Sequence, residues 1–425
     1  MFNLIDVNVL KYFTVCVFIA ILSACSSDSG DSTVFDPTAA PQNVQVVSGD
    51  DDSTEARNTI SWTRDPAATD YVVYVDNKPG VTESSSVVVP AASGFTYVTH
   101  SGVDVVEGTT YYYRVKAMSG STSSILSDEV NGTPQQSQTN NGLNDVAWNG
   151  SDTLVAVGDQ GTILSSPNGM ADAWTVRTAG TNQSLAGVTW DSDNTQFLVV
   201  GVGSTILTGN GTTWNTETNT ATTASLEDVA WLDPGYIAVG TNGTIITGNA
   251  DGSIWTSQSS NIEGEIPPIA LKGVASNGSI IVAVGTNGTI LTSTDDGVNW
   301  APLTTTITNN DLNDISWDGN QFGVVGSNDT ILTSPDGLTW TSHIPGTPNI
   351  TFVGASQWDS SLPTNPVLGA VGSAGTFVVS PDATTGFSVP TGTNNQLSGM
   401  TWVDVTPPYF VMVGNDGTVL TSQLQ

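Results

Sequence analysis

Three pairs of polar residues recur at one position of an internal repeat, and every pair contains a carboxylate. The pairs are Asn144 with Asp145, Glu227 with Asp228, and Asn313 with Asp314. If the fold brings them to one rim, they can bind a cation, a sugar or a basic protein segment. Two carboxylates at a suitable separation, one with a raised pKa, can also hydrolyse a glycosidic bond. Alternatively, these side chains cap strands and keep a protein with few lysines soluble.

The scarcity of His, Lys and Arg weighs against several other classes of functional site. The chain has 425 residues and only 2 His, namely His100 and His343, so no Ser-His-Asp triad or multi-histidine metal site can be assembled in the repeats. A net charge of −32, with 40 acidic and 8 basic residues, argues against a nucleic-acid binder, which needs clustered Lys and Arg. We expect no cofactor. The acidic run at residues 50–52 is a candidate for Ca²⁺, although three consecutive acids are more often a solvated turn.

Seven repeats begin near residues 143, 185, 226, 271, 312, 350 and 397. In each repeat an apolar strand ends in a glycine, and these glycines are Gly158, Gly201, Gly240, Gly285, Gly326, Gly372 and Gly414. A polar turn such as Asn-Gly follows, then a Thr-Ile-Leu strand, then a strand that carries an aromatic residue. Four short strands in each of seven repeats predict an all-β fold, a seven-bladed β-propeller over residues 135–425.

The seventh repeat has three predicted strands before Gln425. A closed ring needs a fourth, because the ends of the propeller must be held together. We predict that residues 134–142, just before the first repeat, supply this outer strand.

The turn between the third and fourth strands carries a Ser-Xaa-Asp-Xaa-Gly pattern. Its two fullest copies contain Ser293, Asp295, Gly297 and Trp300, and Ser334, Asp336, Gly337 and Trp340. The pattern resembles the Asp-box, or BNR, repeat of sialidase-type propellers, and the Val-Gly-Xaa-Xaa-Gly-Thr-Ile segments resemble photosystem II assembly-factor propellers. We expect a structural role for these residues, in which the Asp caps the backbone amides of the turn and the Trp packs inward.

The chain departs from both families in its cations. Sialidases hold the substrate carboxylate with three Arg, whereas residues 135–425 contain only Arg177 and Lys272 as basic residues. Sialidase chemistry is therefore excluded. The assembly factors use a basic patch on the propeller, which two cations cannot form.

Residues 41–134 contain short β-branched and aromatic runs at spacings typical of an antiparallel sandwich. With Trp62 on an early strand and a tyrosine corner at Tyr111, this segment resembles a fibronectin type III domain. We expect it to be a spacer. Residues 1–24 have the short apolar run of a signal peptide, and Leu22-Ser23-Ala24-Cys25 resembles the lipobox of bacterial lipoproteins. That resemblance implies lipidation of Cys25, with residues 25–40 as a flexible tether.

These observations predict an exported outer-membrane lipoprotein, facing the periplasm or the cell surface. We expect a non-catalytic recognition or scaffold module for a protein or polysaccharide ligand, with the membrane reached only through the lipid. The alternative is a glycoside hydrolase with two carboxylates on the rim of the propeller channel.

Overall fold

The structure is a computed structural model that describes residues 35–42, 44–50, 57–62, 65, 67–91, 97–101, 105–106, 108–133, 138–169, 173–343, 350–357, 368–380, 387–405 and 409–423. Within these ranges the regular elements are β-strands and six single 3-10 turns. No helix in this part of the chain is long and apolar enough to cross a membrane. The predicted signal peptide, Cys25 and residues 26–34 of the tether lie outside the described residues.

The N-terminal part is a sandwich of two β-sheets, called the sandwich below. Its strands are β1 (Gln45–Asp50), β2 (Arg57–Ser61), β3 (Asp70–Asp76), β4 (Ser86–Ala91), β5 (Tyr97–His100), β6 (Tyr111–Ser119), β7 (Thr122–Ser123) and β8 (Val130–Gly132). One sheet contains β1, β2 and β5, and the other is built on β3, β4 and β6. Trp62 and Tyr113 are fully buried between them. The sequence analysis predicted neither β5 nor the two-residue β7.

The rest of the chain repeats one antiparallel four-stranded unit, called a blade below. The first four blades contain β9 (Leu143–Trp148), β10 (Leu154–Gly158), β11 (Thr162–Ser166) and β12 (Thr175–Thr178); β13 (Leu185–Asp191), β14 (Gln196–Gly201), β15 (Thr205–Gly209) and β16 (Trp214–Thr216); β17 (Leu226–Leu232), β18 (Gly235–Gly240), β19 (Ile245–Gly248) and β20 (Trp255–Gln258); and β21 (Leu271–Ser276), β22 (Ile281–Gly285), β23 (Thr289–Ser293) and β24 (Ala301–Pro302).

The last three blades follow the same order. They contain β25 (Leu312–Trp317), β26 (Phe322–Gly326), β27 (Ile331–Ser334) and β28 (Thr341–His343); β29 (Phe352–Gln357), β30 (Leu368–Gly372), β31 (Phe377–Ser380) and β32 (Phe387–Val389); and β33 (Leu397–Val403), β34 (Tyr409–Gly414) and β35 (Val419–Gln423). In the sixth blade the first strand begins at Phe352, two residues later than the repeat predicted near 350, because Phe352 lies opposite Gly372.

The blades form a propeller-like ring. Their first strands contact one another in sequence, β9 to β13 and onward to β33, and β33 returns to β9. Each second strand is covered on both faces by neighbouring blades, so all five residues of β10 are buried and its sequence is continuously apolar. Aromatic pairs fill the wedges between blades, such as Trp190 with Phe197 at 4.7 Å between ring centroids.

The strand that completes the seventh blade comes from the sandwich, which corrects the sequence prediction. Strand β1 pairs antiparallel with β35, so the order β33-β34-β35-β1-β2-β5 forms one six-stranded sheet. Residues 138–142, the described part of the predicted closing segment 134–142, form no strand. The prediction failed because β1 lies about 90 residues before the first repeat, and the sequence pattern does not show pairing at that distance.

Candidate functional site

One end of the central channel opens into a cavity of about 430 Å³, called the channel mouth. All six polar residues singled out from the sequence line it: Asn144, Asp145, Glu227, Asp228, Asn313 and Asp314. They meet there because they follow the first residue of the innermost strand in blades one, three and five. Further lining residues come from the turns after the second strands and from the segments before the first strands, which share this end of the channel.

The three aspartates join neighbouring blades. Asp145 accepts hydrogen bonds from the backbone N–H of Val146 at 2.7 Å and of Val188, in the second blade, at 2.8 Å. Asp228 binds Val229 and Val274 at 2.7 and 2.8 Å. Each carboxylate therefore satisfies inner-strand N–H groups that the blade ladders leave unpaired, one on its own blade and one on the next.

Asp314 repeats this arrangement between the fifth and sixth blades. Its two oxygens accept from the backbone N–H of Ile315 and of Ala355, both at 2.7 Å. In each aspartate both carboxylate oxygens accept hydrogen bonds from backbone N–H groups, so the three side chains hold adjacent blades together.

The residue before each aspartate reaches the same neighbouring blade. The Asn144 Nδ2 donates to the Leu185 carbonyl at 2.8 Å, and the Asn313 Nδ2 donates to the Phe352 carbonyl at 2.7 Å. In the third blade Glu227 takes this position and forms an ion pair with Lys272 of the fourth blade at 3.1 Å. The six candidate residues thus form three two-residue interblade clamps.

Glycine replaces aspartate in the blades that receive a clamp. A Cβ built on Gly187 would lie 3.0 Å from the Asp228 Cα, and one on Gly273 would lie 3.0 Å from the Asp314 Cα. Glycine therefore lets the next inner strand approach closely. Aspartate and glycine alternate at this position around the ring. Because seven is an odd number, the alternation must break once, and the sixth and seventh blades both carry glycine, Gly354 and Gly399.

The channel mouth is rich in carboxyl groups, and three of them have raised pKa values. Burial, followed by the negative charge of Asp228, raises the pKa of Asp145 to about 8. Burial raises the pKa of Asp228 to about 7, and burial with the charges of Asp228 and Asp145 raises the pKa of Asp314 well above its usual value. The three side chains are half-buried, so they retain contact with the channel. Lys272 is the only cation among the lining residues.

Comparison with known proteins identifies the fold. Residues 249–395 match the family model described as the DUF6242 beta propeller domain. No curated protein matches the chain. Among solved structures, "YCF48 bound to D1 peptide" is 16% identical with a TM-score of 0.53, covering 67% of this chain and 93% of that chain.

Two other propellers are similarly related. The Cps50 (Swd1) beta-propeller domain of Myceliophteria thermophila is 10% identical with a TM-score of 0.52, covering 68% of this chain and 98% of that one. The WD40 beta propeller domain of Doa1 is 14% identical with a TM-score of 0.51, covering 68% and 94% respectively. At these identities the likeness shows the fold, an all-β propeller of four-stranded sheets.

The raised pKa values predict how stability depends on pH. A folded chain with raised carboxyl pKa values retains protons that the unfolded chain releases near pH 4. The free energy of unfolding should therefore fall as pH rises from about 4 until the folded pKa values near 7 and 8 are passed, by about 1.4 kcal/mol per pH unit for each proton retained. Urea unfolding at pH 5, 6.5 and 8 measures this slope. Asp228→Asn should make it shallower; an unchanged slope would contradict the assignment.

The acids of the predicted Asp-box lie on turns at the opposite end of the blades. The Asp295 carboxylate accepts from the Asn299 side chain at 2.6 Å, and from the Asn299 backbone N–H and the Ser293 hydroxyl, both at 2.9 Å. In that order these bonds lower its pKa. Trp300 packs inward, and its indole N–H donates to the Gly297 carbonyl at 2.8 Å.

The second copy has the same bonds. Ser334 donates to Asp336 at 3.1 Å and accepts from the Gly337 N–H, while Trp340 donates to the Gly337 carbonyl. Asp336 accepts mainly from the backbone N–H of Thr339, which with Leu338 lowers its pKa. In both turns the carboxylate is an exposed cap whose lowered pKa keeps it ionised, and its hydrogen bonds hold the turn.

Sequence reasoning missed five polar residues of the channel mouth, which are Asp159, Ser184, Lys272, Gln396 and Ser398. Asp159 follows the first Val-Gly strand, and its Oδ1 accepts the Ser184 hydroxyl at 2.5 Å. Ser184 precedes the second blade, and Lys272 takes the clamp position in the fourth. Their position in the repeat could have indicated them, because turns after second strands and segments before first strands face one end of the channel.

Among the described residues no group of three or more His, Cys, Asp or Glu is arranged to hold a metal ion, and residues 51 and 52 of the Ca²⁺ candidate lie outside the described part.

Proposed function

We propose that this protein is a non-catalytic recognition or scaffold module that binds a protein segment or a glycan at the channel mouth. The observation that carries the proposal is the acidic cavity of about 430 Å³, in which a single lysine faces five carboxyl groups. A ligand that donates many hydrogen bonds, from hydroxyl groups or from amines, complements this surface of carboxyl groups. The solved propeller named as YCF48 is described as bound to a peptide, so a propeller of this kind can present a peptide-binding surface.

The remaining features of the proposal follow from the sequence. We propose that a signal peptide exports the chain, that a lipid on Cys25 anchors it to the outer membrane, and that the sandwich is a fibronectin type III domain. The propeller is proposed to be a seven-bladed Asp-box ring. Labelling with a radioactive fatty acid tests the anchor, because Cys25→Ser should abolish incorporation and membrane retention together.

The interblade clamps weigh against the glycoside hydrolase alternative. A hydrolase needs one carboxyl group free to give a proton and a second free to act as base or nucleophile. Asp145, Asp228 and Asp314 each use both oxygens to bind backbone N–H groups of two blades. We therefore expect that replacing one of them lowers stability, whereas a hydrolase would lose turnover with its stability intact.

Capture of a ligand from the source cells tests recognition. The mature chain, beginning after Cys25, is immobilised and exposed to lysate and to extracellular polysaccharide, and the bound fraction is examined for proteins and glycans. The double variant Asp159→Asn with Glu227→Gln changes two carboxyl groups of the mouth and leaves the clamp aspartates Asp145, Asp228 and Asp314 in place. The matched control, Asp193→Asn with Asp404→Asn, removes two exposed charges at the opposite end of the blades.

We expect a ligand that the control retains and the mouth variant loses. Equal retention by both variants would move the site away from the channel mouth. A glycan recovered in shortened form would overturn the non-catalytic proposal.

A further inference from the structure

Strand β1 belongs to the sandwich and to the propeller at the same time. On one side Val46 lies opposite Ile60 of β2, and on the other side it lies opposite Gln423 of β35. Its side chains alternate between two cores. Val47 packs in the cluster that contains Phe410 and Leu420 of the seventh blade, whereas Val46 packs in the sandwich cluster.

A buried polar network fixes β1 inside the sandwich. The Ser48 hydroxyl donates to the Asn58 Oδ1 at 2.6 Å, and the Asn58 Nδ2 donates to the Tyr113 hydroxyl at 2.8 Å and to the Gly132 carbonyl at 2.9 Å. Both Ser48 and Asn58 are fully buried. Removal of β1 from the sandwich would leave the buried Asn58 Oδ1 without the Ser48 hydroxyl that donates to it.

A second contact joins the sandwich to the propeller close to this strand. The Thr59 hydroxyl of β2 donates to the Thr391 carbonyl, in the segment between the sixth and seventh blades, at 3.4 Å. A Cβ built on Gly392 would lie 2.0 Å from the Thr59 Oγ1. The propeller backbone thus approaches β2 more closely than any other residue type would allow.

We infer that the sandwich is the closing module of the propeller: it docks on the edge of β35 and holds the two ends of the ring together. The seventh blade has its outer strand only while the sandwich is in place. The sandwich and the ring therefore share stability, and the channel mouth has a fixed orientation relative to the segment that precedes β1. Release of the sandwich would expose the β35 edge, which could then pair with another strand.

Cutting the chain between the two parts tests this inference. A protease recognition sequence is inserted after residue 133, between β8 and β9, in the full chain with Cys16→Ser and Cys25→Ser. After cleavage the two fragments, one with β1 and one with β35, should elute together in size-exclusion chromatography at micromolar concentration. Separate elution of two folded fragments would overturn the inference, since a spacer held only by the linker must come apart.

Two variants establish that β1 is the point of attachment. Ser48 lies directly opposite Thr421 of β35, so Ser48→Cys with Thr421→Cys should form a disulfide that links the cleaved fragments on a non-reducing gel. Failure to form it in the intact protein would also contradict the pairing. Val47→Asp places a charge in the propeller cluster and should release the fragments after cleavage, while Val87→Asp, on an exposed site of β4, should leave them together.

Discussion

Asp228→Ala is expected to lower the free energy of unfolding by about 2 kcal/mol. The substitution leaves the backbone N–H groups of Val229 and Val274 without their acceptor, on the innermost strands of two blades. The same residue carries a burial cost in its charged form, which offsets part of the loss at neutral pH. Urea unfolding of the variant and the parent at pH 7 measures the difference.

The control for this experiment is Glu265→Gln, which removes one negative charge from an exposed side chain. It should change stability by less than about 0.5 kcal/mol. Hydrogen exchange gives a second readout, because the amide of Val274 should exchange faster in Asp228→Ala and remain protected in the control. Equal protection in both variants would show that the carboxylate does not hold the two blades together.

Gly240→Ala is expected to be strongly destabilising, at about 3 kcal/mol or more. A Cβ at this position would lie 2.1 Å from the Ser225 carbonyl oxygen and 3.0 Å from the Leu226 Cα. Both neighbours are backbone atoms, so no side chain can rotate away, and the turn must separate from the strand that begins the blade.

The matched control is Gly278→Ala. Gly278 has a φ of +82° and open space around it, so alanine there meets backbone strain without a clash, at a cost of about 1 kcal/mol. Thermal unfolding of the two variants separates the effects. If Gly278→Ala is as damaging as Gly240→Ala, the close approach to Ser225 does not explain the glycine.

The seven Val-Gly glycines show what the sequence predicted and what it left out. Their regular spacing predicted the blades, because each repeat places its glycine at the same point of the same four-stranded unit. The reason for glycine was hidden: φ is extended at Gly240, near −172°, and any residue adopts that value. The requirement arises from the strand packed against it, and it recurs at all seven glycines, with a backbone carbonyl between 2.1 and 2.3 Å from the added Cβ.

The turn after each such glycine was predictable from residue type alone. Asn242 and Gly243 have φ values of 58° and 69°, the left-handed conformation that Asn and Gly tolerate best.

The position of the candidate site was predictable from the sequence, but the role of its side chains was not. Asp145, Asp228 and Asp314 occupy the same position in their repeats, so the repeat pattern places them in one cavity. Their hydrogen bonds to the next blade depend on how the inner strands pack around the axis, which the pattern does not show. Ring closure by β1 depends on a pairing between distant segments, which no local pattern encodes.

The affinity of the captured ligand for three forms of the protein tests the central claim most directly. Isothermal titration would compare the parent, the mouth variant Asp159→Asn with Glu227→Gln, and the opposite-end variant Asp193→Asn with Asp404→Asn. If the recognition site is the channel mouth, the dissociation constant of the mouth variant should be at least tenfold higher than that of the parent, which is about 1.4 kcal/mol of binding free energy. The opposite-end variant should bind with the parent's affinity. Equal affinity for all three forms would contradict it.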